Sequence, residues 1–109
     1  MQSRINKIFK AIADPTRREI FHVLVLASTA LSITQIAEQF DISRQGITKH
    51  IMQLHDAGML DIQTKGREKY CKADLSALKE IRDWLAFYDQ FWDQKLENLN
   101  AFLNTKKKT

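Results

Sequence analysis

The 109-residue sequence contains one cysteine, one proline and three glycines, and each scarcity closes off a class of protein. A lone Cys71 permits no intrachain disulfide, which fits a reducing compartment. With only Pro15, Gly46, Gly58 and Gly66 as breakers, the chain has no Pro/Gly-rich linker and no glycine-rich phosphate loop. The longest apolar-rich run, Val23 to Ala27 with its neighbours, is far short of the roughly 20 residues that span a bilayer. Met1 to Ala13 is polar every few residues, so no secretory signal is expected. His22, His50 and His55 are scattered without the spacing of a metal-ligand set, and no nucleophile has an obvious base beside it. The expectation is a cytoplasmic protein with no membrane partner, no cofactor and no metal site, and not an enzyme.

What is present is a soluble composition, 44% hydrophobic and 28% charged, with a formal charge of +4. The length predicts one domain over 1–109 with a modest core. Position matters more than total charge. From Ser43 to Lys72, six basic residues (Arg44, Lys49, Lys65, Arg67, Lys69, Lys72) stand against three acidic ones (Asp56, Asp61, Glu68), a surplus that favours a polyanionic partner. The run Lys106-Lys107-Lys108 reads as a basic, disordered end.

The stretch from Ser43 to Gly58 organises the rest. Ser43 stands where an N-cap belongs and Gly58 where a left-handed C′ residue belongs, which gives a helix over 43–57. At about 100° per residue, Ile47, Ile51 and Leu54 share one face, while Arg44, Gln45, Thr48 and Lys49 share the opposite one. The outward set suits a major groove: Arg pairs with guanine acceptors, Gln with adenine, and Thr and Lys with base edges or phosphates. An amphipathic helix with a merely solvated polar face is the plainer reading. Upstream, Thr34 to Phe40 reads as a short helix capped by Thr34, and Asp41-Ile42-Ser43 as a tight connection. The pair forms a helix-turn-helix pattern, with Thr34 and Gln35 counted beside Ser43 among the DNA-facing residues and small Ala37 and Gly46 allowing the backbones to approach.

The remaining elements follow from periodicity. Ile5, Ile8, Phe9 and Ile12 mark a first amphipathic helix over Gln2 to Ala13. Asp14-Pro15 stops it and caps a second, Thr16 to about Ala27, which is expected to bury Ile20, Val23, Leu24 and Leu26. Arg17 and Arg18 lie at that helix's start, where the dipole disfavours cations; either a carboxylate or phosphate engages one of them, or both are solvated. Ser28 to Ser32 reads as a polar loop. Over 59–72 the period becomes two around Lys65-Gly66-Arg67, a β-hairpin placed as a wing whose tip, Lys65 and Arg67, either contacts DNA or is a solvated turn. Asp74 and Leu75 open a long helix over 75–103. Its apolar stripe includes Leu78, Ile81, Leu85, Tyr88, Trp92 and Leu99 and is too wide and aromatic for a small domain to cover. A second copy is expected there, joined by Ile5, Ile8 and Phe9 of the first helix. The fold class is therefore mainly α with a β-hairpin: a dimeric winged helix-turn-helix with a long C-terminal helix.

The segments Ile12 to Ile20, Ile42 to Ile51 and Leu54 to Leu60 resemble the ArsR/SmtB family of winged-helix repressors, a likeness covering almost the whole chain. The resemblance implies a homodimer with terminal helices at the dimer interface, binding double-stranded operator DNA and repressing transcription. Carried over by position, the family's DNA-reading residues fall on Arg44, Gln45, Thr48 and Lys49. The sensing sites depart from the family. Where many members carry a Cys-x-Cys pair and a third ligand, this chain has Ser32, Thr34 and Ala37, and from Leu75 to Thr109 it has no histidine. The aromatic terminal helix instead resembles the metal-independent branch that includes autorepressors of the sporulation-delay type.

Two further residues have competing readings. His50, at the edge of the buried face, is read as a hydrogen-bonded core histidine rather than a ligand. Cys71 on a wing strand is read as inert rather than a redox switch, with Lys69 and Lys72 modestly favouring its thiolate. Two functions remain: a sequence-specific DNA-binding repressor of a palindromic operator, and a winged-helix dimer that serves as a protein-interaction module.

Overall fold

The computed structural model describes residues 2–107. The elements, in order, are α1 (Gln2–Ile12), α2 (Pro15–Leu26), β1 (Leu31–Ser32), α3 (Ile33–Ala37), α4 (Arg44–Asp56), β2 (Leu60–Lys65), β3 (Glu68–Ala73) and α5 (Ser76–Lys107). Residues up to Leu78 make one compact unit and those from Lys79 onward a second. Of the basic run expected to be disordered, Lys106 and Lys107 continue α5, and Lys108 lies outside the described residues.

The α1–α2 junction is built from local chemistry. Asp14 is the N-cap of α2 with Pro15 at the first helical position, and its Oδ2 accepts the Arg17 backbone N–H at 2.9 Å. Arg18 is engaged by backbone carbonyls at the end of the preceding helix. Its Nη1 donates to the Ile12 carbonyl at 2.7 Å and to that of Ala13 at 3.4 Å. A cation disfavoured at the start of its own helix thus satisfies the negative end of the preceding one. On α2 the buried side chains are Ile20, Phe21 and Leu24. Val23 is half-buried, and Leu26, expected inside, is 71% exposed. Two residues beyond Leu24 is a rotation of about 200°, which turns Leu26 away from the core.

Ser28–Ser32 is not wholly loop. Leu31 and Ser32 form β1, antiparallel to β3 with Leu31 opposite Cys71 and Ser32 opposite Tyr70, so the sheet has three strands in the order β1-β3-β2. A two-residue strand carries no readable period. The N-cap of α3 is likewise Ser32, not Thr34: Ser32 Oγ accepts the Gln35 N–H at 3.1 Å while Gln35 Oε1 accepts the Ser32 N–H at 2.8 Å, a reciprocal capping box.

On α4, Ile47, Ile51 and Leu54 are fully buried and meet the α1 and α2 layer, whose centre holds Ile8 and Ile20. The helix ends in a Schellman motif: the Gly58 N–H donates to the His55 carbonyl at 2.9 Å and the Met59 N–H to that of Leu54 at 3.0 Å, with Gly58 at φ +77°. Leu54 and Met59, the apolar pair that accompanies this motif, are both fully buried. β2 and β3 pair from Leu60–Ala73 to Lys65–Glu68, leaving Gly66 and Arg67 as a two-residue loop. Gly66 has φ +63° and no non-glycine described residue has positive φ, the pattern of a type II′ turn.

The second unit is a single helical stretch, part of the 32-residue α5, which runs past the expected Leu103. Its rings contact one another along the helix: Trp84 and Tyr88 are 5.0 Å apart between centroids, Phe87 and Tyr88 5.2 Å, both edge-on. Those contacts leave Phe87 58% and Trp92 63% exposed.

Candidate nucleic-acid interface

The recognition segment begins at Ser43, whose Oγ accepts the Gly46 N–H at 3.0 Å and so fixes the first turn of α4. Gly46 is required by space rather than by φ: a Cβ there would stand 2.7 Å from Ile42 Cγ2. The close approach is to the turn residue Ile42, a different neighbour from the α3 backbone the sequence suggested. With Ile47, Ile51 and Leu54 facing inward, Ser43, Arg44, Gln45 and Lys49 are exposed and Thr48 is half-buried. Thr48 Oγ1 donates back to the Arg44 carbonyl at 2.9 Å, which leaves its methyl group and oxygen lone pairs for a partner.

α3 contributes less than expected. Gln35 is exposed, but its Oε1 is committed to the capping box. Thr34 is half-buried and its hydroxyl donates to Glu68 Oε1 at 3.4 Å. On the hairpin, Lys65 and Arg67 are exposed at the tip, and Lys65 Nζ lies 6.0 Å from the centroid of the Tyr70 ring.

Glu68 was not anticipated. It is the residue after Arg67, yet its carboxylate turns to the helices: Oε2 lies 3.8 Å from Arg44 Nη2, and Oε1 accepts from Thr34. Oε2 is sealed from solvent without a hydrogen-bond donor. Three elements, α3, α4 and β3, therefore meet at one side chain. Only the strand register that brings Glu68 opposite Lys65 turns it back toward α4, and no spacing in the sequence contains that register.

The remaining candidates divide by burial. His50 is partly buried, with Nδ1 3.9 Å from Asp14 Oδ2, too long for the hydrogen bond expected of it. Cys71 is fully buried, and desolvation pushes its thiol up to about 11; Lys69 pulls modestly the other way, as expected, but burial outweighs it. At the positions where ligands would be carried, Ser32 Oγ caps α3, Thr34 bonds Glu68, and Ala37 has no donor. Neutral hydroxyls and a methyl group do not fit a thiophilic ion. Among the described residues no group of three His, Cys, Asp or Glu side chains gathers as a metal cradle, and no helix is long and apolar enough to cross a membrane. Of the residues assigned to a dimer seam, Leu78, Leu85, Tyr88, Trp92 and Leu99 are exposed, and Ile81, Ile5 and Phe9 are half-buried. Ile8 does not fit that assignment, because it is fully buried within the chain's own core.

Comparison with known proteins agrees with this geometry. A helix-turn-helix domain family matches residues 12–63. The transcriptional repressor SdpR of Bacillus subtilis is 33% identical over 81 residues, covering 74% of this chain and 88% of that protein. An ArsR-like transcriptional regulator from Rhodococcus sp. RHA1 superposes with a TM-score of 0.75 at 28% identity, covering 93% of each chain. At 14% identity the likeness is of fold alone for a homodimeric winged helix-turn-helix DNA-binding domain of Mycobacterium bovis, with a TM-score of 0.65 and 82% of each chain covered. The capped recognition helix, the hairpin wing and these relatives together place the chain in the ArsR/SmtB family of winged-helix, DNA-binding transcriptional regulators.

Proposed function

We propose that the protein is a cytoplasmic, homodimeric repressor that binds a palindromic operator and needs no metal. The observation that carries this reading is α4: its apolar face is fully buried, which leaves Ser43, Arg44, Gln45 and Lys49 exposed on the other side of a rigid, capped helix. In this reading Arg44, Gln45, Thr48 and Lys49 take base edges and nearby phosphates, and the N-terminal turn at Ser43 meets the backbone. Lys65 and Arg67 add sequence-independent contacts from the wing tip.

A dimer is supported by the exposed apolar face of α5 and by the homodimer formed by the M. bovis neighbour. Two recognition helices held about one helical turn apart read two half-sites, which one helix cannot do. Metal independence is supported by the hydroxyl and methyl side chains at Ser32, Thr34 and Ala37.

The test is a gel shift and footprint on the DNA upstream of the protein's own gene, with excess chelator and with added zinc. Protection of a palindrome with equal affinity in both buffers is expected. Absence of specific protection on this DNA and on a random-sequence library would favour the protein-interaction reading, and a reproducible tenfold zinc effect would remove the metal clause.

A further inference from the structure

We propose that Glu68 is a positioning residue: its carboxylate, braced by Thr34, holds the Arg44 guanidinium in the orientation that reads a base, and so sets specificity rather than affinity. The inference rests on the reading above in which Arg44 contacts DNA.

Glu68 lies between Arg67 and Lys69, in a segment whose basic surplus suits a polyanion. An exposed carboxylate there would weaken phosphate binding by like-charge repulsion. The Glu68 side chain is still 38% exposed, but its Oε2 is sealed from solvent and faces Arg44, so its charge is partly offset within the protein.

The Oε2 to Nη2 distance of 3.8 Å is an ion pair, not a closed hydrogen bond. The approach to Glu68 is through Nη2. The planar fork has five N–H donors, so an edge remains free for the paired acceptors of guanine. The Arg44 side chain is 60% exposed and, among the described residues, has no other ion pair. Without Glu68 it would swing among rotamers and reach phosphates as readily as bases. Thr34 donates to Oε1 at 3.4 Å from α3, so the carboxylate is held from the element preceding the recognition helix while attached to the one following it. Expulsion of water on DNA binding strengthens the pair, because the local dielectric falls.

The experiment compares wild type, Glu68→Gln, Arg44→Ala and the double variant, all full length, by selection from a random duplex library and by affinity for the selected and for random duplexes. Arg44→Ala is expected to lose preference at one base position per half-site. Glu68→Gln is expected to lose preference at that same position, lowering the ratio of selected to random affinity about five- to tenfold while random-DNA affinity holds or rises. In the Arg44→Ala background, Glu68→Gln should leave the ratio unchanged. A purely structural role would instead lower both affinities together or act equally in both backgrounds, and either result overturns the proposal. If Arg44→Ala loses its base preference and Glu68→Gln keeps it, this proposal fails while the DNA reading stands. If Arg44→Ala loses none, both fail. Thr34→Val, which alters neither charge, gives the same ratio measurement should Glu68→Gln unfold, and an unchanged ratio there also overturns the proposal.

Discussion

Gly46 and Ile42 are in direct steric register: a Cβ on the glycine would lie 2.7 Å from Cγ2 of the isoleucine. The contact fixes how tightly the turn closes onto the first turn of α4, beside the residues assigned to DNA. Gly46→Ala gains about 1 kcal/mol of helix propensity but meets overpacking of about 1–3 kcal/mol against a stiff β-branched side chain. A net loss of stability is expected in chemical denaturation. The same substitution in an Ile42→Ala background should cost measurably less, and equal costs in both backgrounds would show that the turn yields without strain.

Arg44 and Arg67 should separate in their effects on DNA. Arg44→Ala is expected to cost about 1–3 kcal/mol on the preferred sequence and less on random DNA. Arg67→Ala should weaken both alike and reduce the slope of affinity against salt by about one phosphate's worth. Measuring both variants on both duplexes from low to high salt decides the matter. Uniform losses for Arg44→Ala would reduce it to a phosphate contact.

The α5 face should set the oligomeric state. Leu85 and Trp92 are 51% and 63% exposed, and burying such side chains is worth about 1.5–3 kcal/mol each. Leu85→Glu with Trp92→Glu is expected to halve the mass seen by light scattering and abolish specific binding. Ile8→Glu should instead unfold the chain, since Ile8 is a core residue. A wild-type monomer at micromolar concentration that still protects both half-sites would falsify the dimer.

Asp74 ties the hairpin to α5: its Oδ1 accepts the Ser76 N–H at 3.0 Å and the Ser76 hydroxyl at 2.7 Å. Those two hydrogen bonds, hydroxyl first, hold the carboxyl below the ordinary aspartate value of 3.8. A depressed folded-state pKa gives stability that is fully present above 3.8 and lost as pH falls through the lower folded-state value. Asp74→Ala should therefore lower the melting temperature at pH 7 and at pH 5 alike, and the gap should narrow as the buffer is taken below 3.8. A gap independent of pH into that range would mean the carboxylate's charge contributes nothing.

The sequence by itself determined whatever depends on neighbours in the chain. The cap at Ser43, the Schellman glycine Gly58, the Asp14-Pro15 restart and the turn at Gly66 each rest on hydrogen bonds or φ values spanning a few residues, and each is found at the expected position. The burial of Ile47, Ile51 and Leu54 follows from helical period alone. Tertiary structure decided what depends on distant partners. β1 exists because β3 offers it an edge, not because two residues have a pattern. Ile8 belongs to the chain's own core because α2 and α4 enclose the inward side of α1, which an amphipathic stripe cannot tell from a seam with a second copy. Glu68 meets Arg44 and Thr34 only because strand pairing folds position 68 back onto positions 34 and 44. A contact across that much chain leaves no period or spacing in the sequence.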